Sequence, residues 1–384
     1  MMNKRKICVV SSSRADYNHL FLLMQELKES KEVDLKLIAT GMHLLKEFGS
    51  TYKEIMNDGF HIDAFIKNQH SKNMSNASLK IISDQFKNAG EVLDKMKPDI
   101  IIILGDRYDI LPIVLCCHIK NIPIAHFHGG EITHGAIDDA IRHSITKLSD
   151  IHFVASTVFK KRVQQLGENP KNIYNVGSLG VLAIKSTKII AKKSILQKYK
   201  ITGRYILVAL HPETINADND LIIKSLFDVL KQQKNIHIVF SAPNSDPGNE
   251  KILYKIDEFR NLYADRSSFI VSAGRKDFIN LIRYAELVVG NSSSCIVEAP
   301  AIGTASLVIG KRQSGRPLAS SVSKAGFSYT AINNKLKKLL NQKHKLNSNN
   351  ELAYKSSSSL SKIIKILTTL SLDNIKLKKF IDYK

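Results

Sequence analysis

Eighteen residues, 126-HFHGGEITHGAIDDAIRH-143, hold four histidines (His126, His128, His134, His143), three carboxylates (Glu131, Asp138, Asp139) and one arginine, Arg142. Three chemistries are open to such a set. Catalytic zinc takes three protein ligands from His, Glu or Asp, but the stretch has no H-E-x-x-H or other recognised ligand spacing, so no metal is expected. The histidines could simply be bonded at a strand end. The third reading is acid/base work, and the rest of the sequence favours it. His126 and His128 are i, i+2 and would share one face of a strand. Asp138 and Arg142 are i, i+4 on one helix face and can pair; Arg142 could equally orient a carboxylate or hold its pKa down. Asp139, one step round the helix, is expected to face elsewhere.

Further candidates lie outside this stretch. LGDRYDILP (104–112) puts Asp106 and Arg107 directly after an aliphatic run. G-D is a common turn pair. A carboxylate at that strand tip, near the tip that carries HFHGGE, would also make an acid/base pair. VVGNSSSCIVEAP (288–300) reads as strand, small polar turn and helix. Its backbone N–H groups with Ser292 and Ser293 suit a phosphate, although a plain N-cap would look the same. It is neither GxxxxGK[ST] nor GxGxxG. Glu298, one turn later, could accept from ribose hydroxyls. GKRQSGR (310–316) adds Lys311, Arg312 and Arg316 to this half, and HPET (211–214) adds His211 at a strand end. No G-x-S-x-G elbow occurs.

Positioning these residues requires strands that end where they stand. Short apolar runs at 6–12, 33–40, 99–106, 122–130, 151–156 and 173–178 alternate with helical patterns; Leu20, Leu23, Met24 and Leu27 repeat at i, i+3, i+4, i+7. The alternation restarts at 205–214 and continues through 236–244, 269–274, 287–294 and 305–310. Strand–helix alternation predicts α/β: two Rossmann-like domains with parallel sheets and an interdomain cleft. The expected division is 1–180, carrying the acid/base residues, and 181–384, carrying the nucleotide and a basic helical tail. Ligands of open α/β sheets bind at the carboxyl ends of strands. Arg14, Asp106–Arg107, His126–Glu131, His211 and Asn291–Ser294 all fall there.

Composition narrows the partners. The 384 residues are 43% apolar, enough for two cores. The net charge of +21 invites nucleic acid, but twelve of the lysines fall after residue 330 against three acidic residues. The few aromatics are not interleaved with basic residues, so no stacking platform for single strands is expected. Cys8, Cys116, Cys117 and Cys295 show no C-x-x-C spacing, which predicts a reducing compartment without disulfides. The apolar run after MMNKRK is too short for a signal peptide, and nothing approaches the roughly 18 apolar residues of a membrane span. A cytoplasmic protein, homodimeric and without cofactor, is expected.

SRADY (13–17), LGDRYDILP, HFHGGEITHGAIDDAIRHSITKLS, QLGENPKNIYNVGSLG (165–180), HPET and GNSSSCIVEAP…GKRQSGR occur in an order that closely resembles the hydrolysing UDP-N-acetylglucosamine 2-epimerases of bacterial sialic acid synthesis. The resemblance runs from about residue 4 to 325. It implies a GT-B-like fold, a nucleotide-sugar substrate, and the reaction UDP-GlcNAc plus water giving ManNAc plus UDP. Anti elimination would form a 2-acetamidoglucal, and water would add with inversion at C2. A related substrate, UDP- or GDP-linked 2,4-diacetamido-2,4,6-trideoxyglucose on the way to legionaminic acid, fits the same chemistry. By resemblance Asp106 and Asp138 match catalytic carboxylates, Arg142 the arginine one turn on, and His211 a histidine near the phosphates. Arg14, Ser292, Ser293, Glu298 and Arg316 match nucleotide contacts; Arg107 stands beside them. Two positions depart from the family. His128 replaces a glutamate common in relatives, so either His128 or Glu131 carries that role. Ser12 and Asn18 replace glycines of the first loop. The competing classes are a GT-B glycosyltransferase, which would need an acceptor, and a non-enzymatic protein using the basic tail.

Overall fold

The structure is a computed structural model that describes residues 4–67, 77–133, 137–213, 219–244, 246–342, 354, 360–373, 375 and 378–382. The chain divides into two compact units. The N-terminal unit comprises Met1–Glu131, Asp138–Ala183 and Tyr354–Lys384; the C-terminal unit comprises Ile184–Ala353 with the segment Ile132–Ile137. The expected α/β class with two parallel sheets is what the chain forms.

Among the described residues the N-terminal unit holds β1 (Arg5–Ser11), β2 (Val33–Thr40), β3 (Ala64–Ile66), β4 (Ile100–Leu104), β5 (Ile124–Phe127), β6 (Ile151–Val154) and β7 (Ile173–Asn175), all parallel in the order β3-β2-β1-β4-β5-β6-β7. The C-terminal unit holds β8 (Tyr205–Ala209), β9 (His237–Ser241), β10 (Ser267–Ile270), β11 (Leu287–Gly290), β12 (Ser306–Ile309) and β13 (Val322–Ala325), ordered β10-β9-β8-β11-β12-β13. Both orders reverse once, between β1 and β4 and between β8 and β11. Such a switch point opens a crevice at the strands' carboxyl ends. Arg14 and Asp106 follow β1 and β4; His211 and Asn291 follow β8 and β11.

The reason for this architecture is in the strands. β4 is IIIIL with every residue buried, as helices on both faces demand. Each such aliphatic side chain contributes roughly 1.5–3 kcal/mol relative to exposure. Phe127 of β5 stacks on Phe153 of β6 at 4.5 Å, fixing those tips side by side. The helix Arg14–Glu29 buries Leu20, Leu23, Met24 and Leu27, the face read from their spacing.

Two expectations need correction. The sequence reading has no strand at 64–66 or 322–325. Both are edge strands of three and four residues, too short to show alternation. The basic tail was assigned to the C-terminal domain, yet Tyr354–Lys384 belongs with the N-terminal unit. Its helix Leu360–Thr369 buries Ile363 and Leu367 in that unit's core, with Ile375 beyond it. A lysine-rich sequence conceals this, because only one stripe of the helix is apolar.

Candidate active site

In the N-terminal unit the register Ile103↔His126 and Leu104↔Phe127 aligns the ends of β4 and β5. The chain leaves β5 at His128 with φ +65°, a left-handed conformation uncommon for a side chain larger than glycine. The His128 N–H is held by Phe153 O at 3.0 Å. The strand has therefore ended, and the i, i+2 argument that aligned His126 with His128 does not apply. His126 is fully buried, and its Nε2–H donates to Gly105 O at 2.7 Å. Burial pushes its pKa down to about 3, so it is a neutral brace between strand tips.

His128 is built differently. Its Nδ1 lies 2.8 Å from Oε1 of Glu131, whose side chain is 3% exposed. The carboxylate can only accept, so Nδ1 is the donor, and in the neutral ring the lone pair is on Nε2. That Nε2 is buried and has no hydrogen-bond partner among the described residues. His128 and Glu131, the two alternatives of the sequence reading, are therefore hydrogen-bonded to each other.

Beside the pair stands Arg142, 1% exposed, on the helix Asp138–Leu148. Its guanidinium contacts Asp106 Oδ2, donates to Glu131 O at 2.8 Å, and reaches Asp139 Oδ1 at 3.5 Å. One arginine therefore joins the β4 tip, the β5 loop and the helix. Asp139, expected to face away, is part of this contact. Asp138 is buried at the first position of the same helix. Arg107 turns its Nε and one terminal nitrogen to Asp109, at 3.1 and 3.2 Å. His134 lies outside the described residues.

The first loop explains the serine that replaces a glycine. Ser12 N and Oγ both donate to Asp16 Oδ2, at 3.1 and 2.9 Å, and Ser13 Oγ accepts from Asp16 N. This caps the helix that begins at Arg14. Neither Ser12 nor Asn18 has positive φ, so neither position requires glycine.

The C-terminal unit arranges its polar residues around β8 and β11. Asn291 Oδ1 accepts from His211 N at 2.7 Å, its Nδ2 donates to His211 O at 2.8 Å, and Gln313 Nε2 donates to Asn291 O at 2.8 Å. Asn244 N–H donates to His211 Nδ1 at 3.0 Å. That bond occupies the Nδ1 lone pair and leaves the ring proton on Nε2. Glu213, buried, accepts from the N–H groups of Lys311 (2.7 Å) and Arg312 (3.0 Å). Ser292 caps the turn Ser293–Cys295 and Glu298 opens the helix Glu298–Ile302. Arg316 donates to Gln313 Oε1 at 3.0 Å. Asn244, Glu213 and Gln313 were not singled out from sequence, since their roles depend on segments that are remote along the chain.

The sequence family described as UDP-N-acetylglucosamine 2-epimerase matches residues 25–368. The chain belongs to that family. A relative from Campylobacter jejuni, named GDP/UDP-N,N'-diacetylbacillosamine 2-epimerase (hydrolyzing), is 37% identical over 82% of this chain and 83% of its own. The Polysialic acid biosynthesis protein P7 of Escherichia coli is 35% identical over 83% of this chain and 82% of its own. Among solved structures, the Methanocaldococcus jannaschii UDP-GlcNAc 2-epimerase in complex with UDP-GlcNAc and UDP superposes with a TM-score of 0.77 at 19% identity, over 94% of this chain and 99% of that one. Likeness at that identity establishes the fold. Among the described residues no three His, Cys, Asp or Glu side chains cluster as a metal site requires. No helix among them is long and apolar enough to cross a membrane.

Proposed function

We propose that the protein is a hydrolysing nucleotide-sugar 2-epimerase, releasing the nucleotide diphosphate and the free 2-epimer of a 2-acetamido sugar. One observation supports the reading: each unit holds a histidine whose Nδ1 is engaged in the opposite sense. His128 Nδ1 donates to Glu131, which in the neutral ring leaves the lone pair on Nε2, and His211 Nδ1 accepts from Asn244 N–H, which leaves the proton on Nε2. Elimination needs both, a base for the C2 proton and a donor for the departing diphosphate.

In the first step His128 Nε2 takes the C2 proton, the C–H pair forms the C1–C2 double bond, and the C1–O pair leaves with the diphosphate. The C2 proton is poorly acidic, so C1–O cleavage runs with or ahead of its removal. Cationic character at C1 is then met by Asp106 and Asp138. His211, Arg14, Arg312, Arg316 and the Ser292–Ser293 turn serve the diphosphate. In the second step water adds across the double bond: its oxygen goes to C1, and a proton delivered from the opposite face goes to C2 and inverts it. The proton released by the attacking water makes good the one delivered to C2, and His128 Nε2 returns the proton it took to solvent. Glu131 holds the tautomer throughout and stabilises the imidazolium.

For the sugar, the name of the Campylobacter relative at 37% identity favours UDP- or GDP-linked 2,4-diacetamido-2,4,6-trideoxyglucose. UDP-GlcNAc, expected from sequence, is the second reading and is favoured by the family's own name. A panel of the three nucleotide sugars without acceptor tests both: release of UDP or GDP from one of them is expected, and release that requires an acceptor would point to a glycosyltransferase. Because side chains supply the positive groups for the diphosphate, the activity is expected to survive EDTA.

A further inference from the structure

The C-terminal segment ends in a charged cluster that the chemistry above does not use. Lys378 Nζ lies 2.8 Å from Glu168 Oε2 and 2.5 Å from the main-chain oxygens of Lys147 and Ser149. Lys147 is in the last turn of the helix Asp138–Leu148. Glu168, 3% exposed, also accepts from Lys147 Nζ at 2.9 Å and faces His152 Nε2 of β6 at 3.0 Å. The strap is fastened further along. Ile381 N donates to Gly167 O at 2.9 Å, and the Phe380 ring lies 4.8 Å from Lys147 Nζ.

The last carbonyls of a helix have no partner within it, and a cation there also meets the negative end of the helix dipole. Lys378 supplies both functions. Burial draws its pKa below the ordinary lysine range, and the Glu168 carboxylate opposes that. Burial acts upward on Glu168, but the His152 bond and the lysine charges outweigh it and hold its pKa below the usual value. The same helix begins at Asp138 and carries Arg142 one turn on, and its Thr146 Oγ1 lies 3.2 Å from His126 Nδ1.

We propose that Lys378 is a positioning residue: it closes the C-terminal end of the Asp138–Leu148 helix against Glu168 and so fixes the axial position of Asp138 and Arg142 relative to Asp106 and the His128–Glu131 pair. This rests on the acid/base reading given above. In the full chain, Lys378→Met is expected to lower kcat roughly tenfold or more, as small misplacements of catalytic groups do, with KM within about twofold. Lys378→Arg is expected to regain most of the rate. Hydrogen exchange read by mass spectrometry is expected to quicken in 138–148 and 126–131 while β8 and β11 keep their protection. Unchanged exchange in that helix overturns the proposal whatever the substrate proves to be, and so does a loosened helix with full kcat. If the wild type turns over none of the sugars but the helix still loosens in Lys378→Met, the assigned reaction has failed and the clamp stands. Should Lys378→Met lose protection throughout, Phe380→Ala loosens the same strap without removing a charge from the cluster and is held to the same two readouts.

Discussion

At the scale of the residue, the proposed reaction rests on which nitrogen of a ring holds the proton. His128 adopts φ +65° and donates from Nδ1 to a carboxylate that is itself buried. Such backbone strain is uncommon for a non-glycine residue and here aims a side chain. The variant His128→Gly separates the two aspects. Glycine accepts positive φ without steric cost, so the protein should stay folded, with a melting temperature close to wild type. Its kcat should fall by roughly 10²- to 10⁴-fold, the usual contribution of a general base, and added imidazole should restore part of it. A His128→Gly enzyme as fast as wild type would remove His128 from the mechanism. The sequence left His128 and Glu131 as alternatives, because spacing alone does not reveal a hydrogen bond between residues three apart outside a helix.

At the scale of the element, the strand tips and the loops that cross them do the positioning. The order of apolar runs made β4, β5, β8 and β11 legible, and the polar residues after them followed from the rule that α/β sites lie at carboxyl ends. What sequence could not supply was the cross-linking between distant loops. Asn291 clasping His211 depends on the parallel register of β8 and β11, including Gly290↔Ala209. Glu213 bonding Lys311 and Arg312 joins loops 98 and 99 residues apart. Gly310, at φ +84°, leaves room for that carboxylate; a Cβ there would stand 2.2 Å from Glu213 Oε1. Glu213→Ala should leave two N–H groups unpaired, a loss of about 1–3 kcal/mol, and should loosen the loop that carries Arg312 and Arg316. Titration calorimetry with UDP and GDP is expected to show nucleotide affinity weakened roughly ten- to hundredfold. Gly310→Ala should act in the same direction. Wild-type affinity in both would mean that the 310–316 loop takes no part in nucleotide binding.

At the scale of the whole molecule, buried histidines set the response to acid. Burial lowers His43 and His126 from 6.5 to about 3, because desolvation disfavours the charged ring. The unfolded chain takes up their protons below about 6.5, while the folded chain refuses them until about 3. Stability is therefore fully present above pH 6.5 and drains as pH falls through that window, by up to roughly 1.4 kcal/mol per pH unit per histidine. Chemical denaturation at pH 7, 5.5 and 4.5 should show a falling midpoint, and a midpoint independent of pH would contradict the burial argument. The reaction as a whole makes one stronger demand. If C2–H is broken and remade around a glycal, solvent hydrogen must appear at C2 of a sugar no longer attached to its nucleotide. Turnover of the accepted nucleotide sugar in D2O, followed by NMR, should therefore yield the free 2-epimer carrying deuterium at C2. Free sugar of unchanged configuration, or an epimer still bound to its diphosphate, would contradict the mechanism.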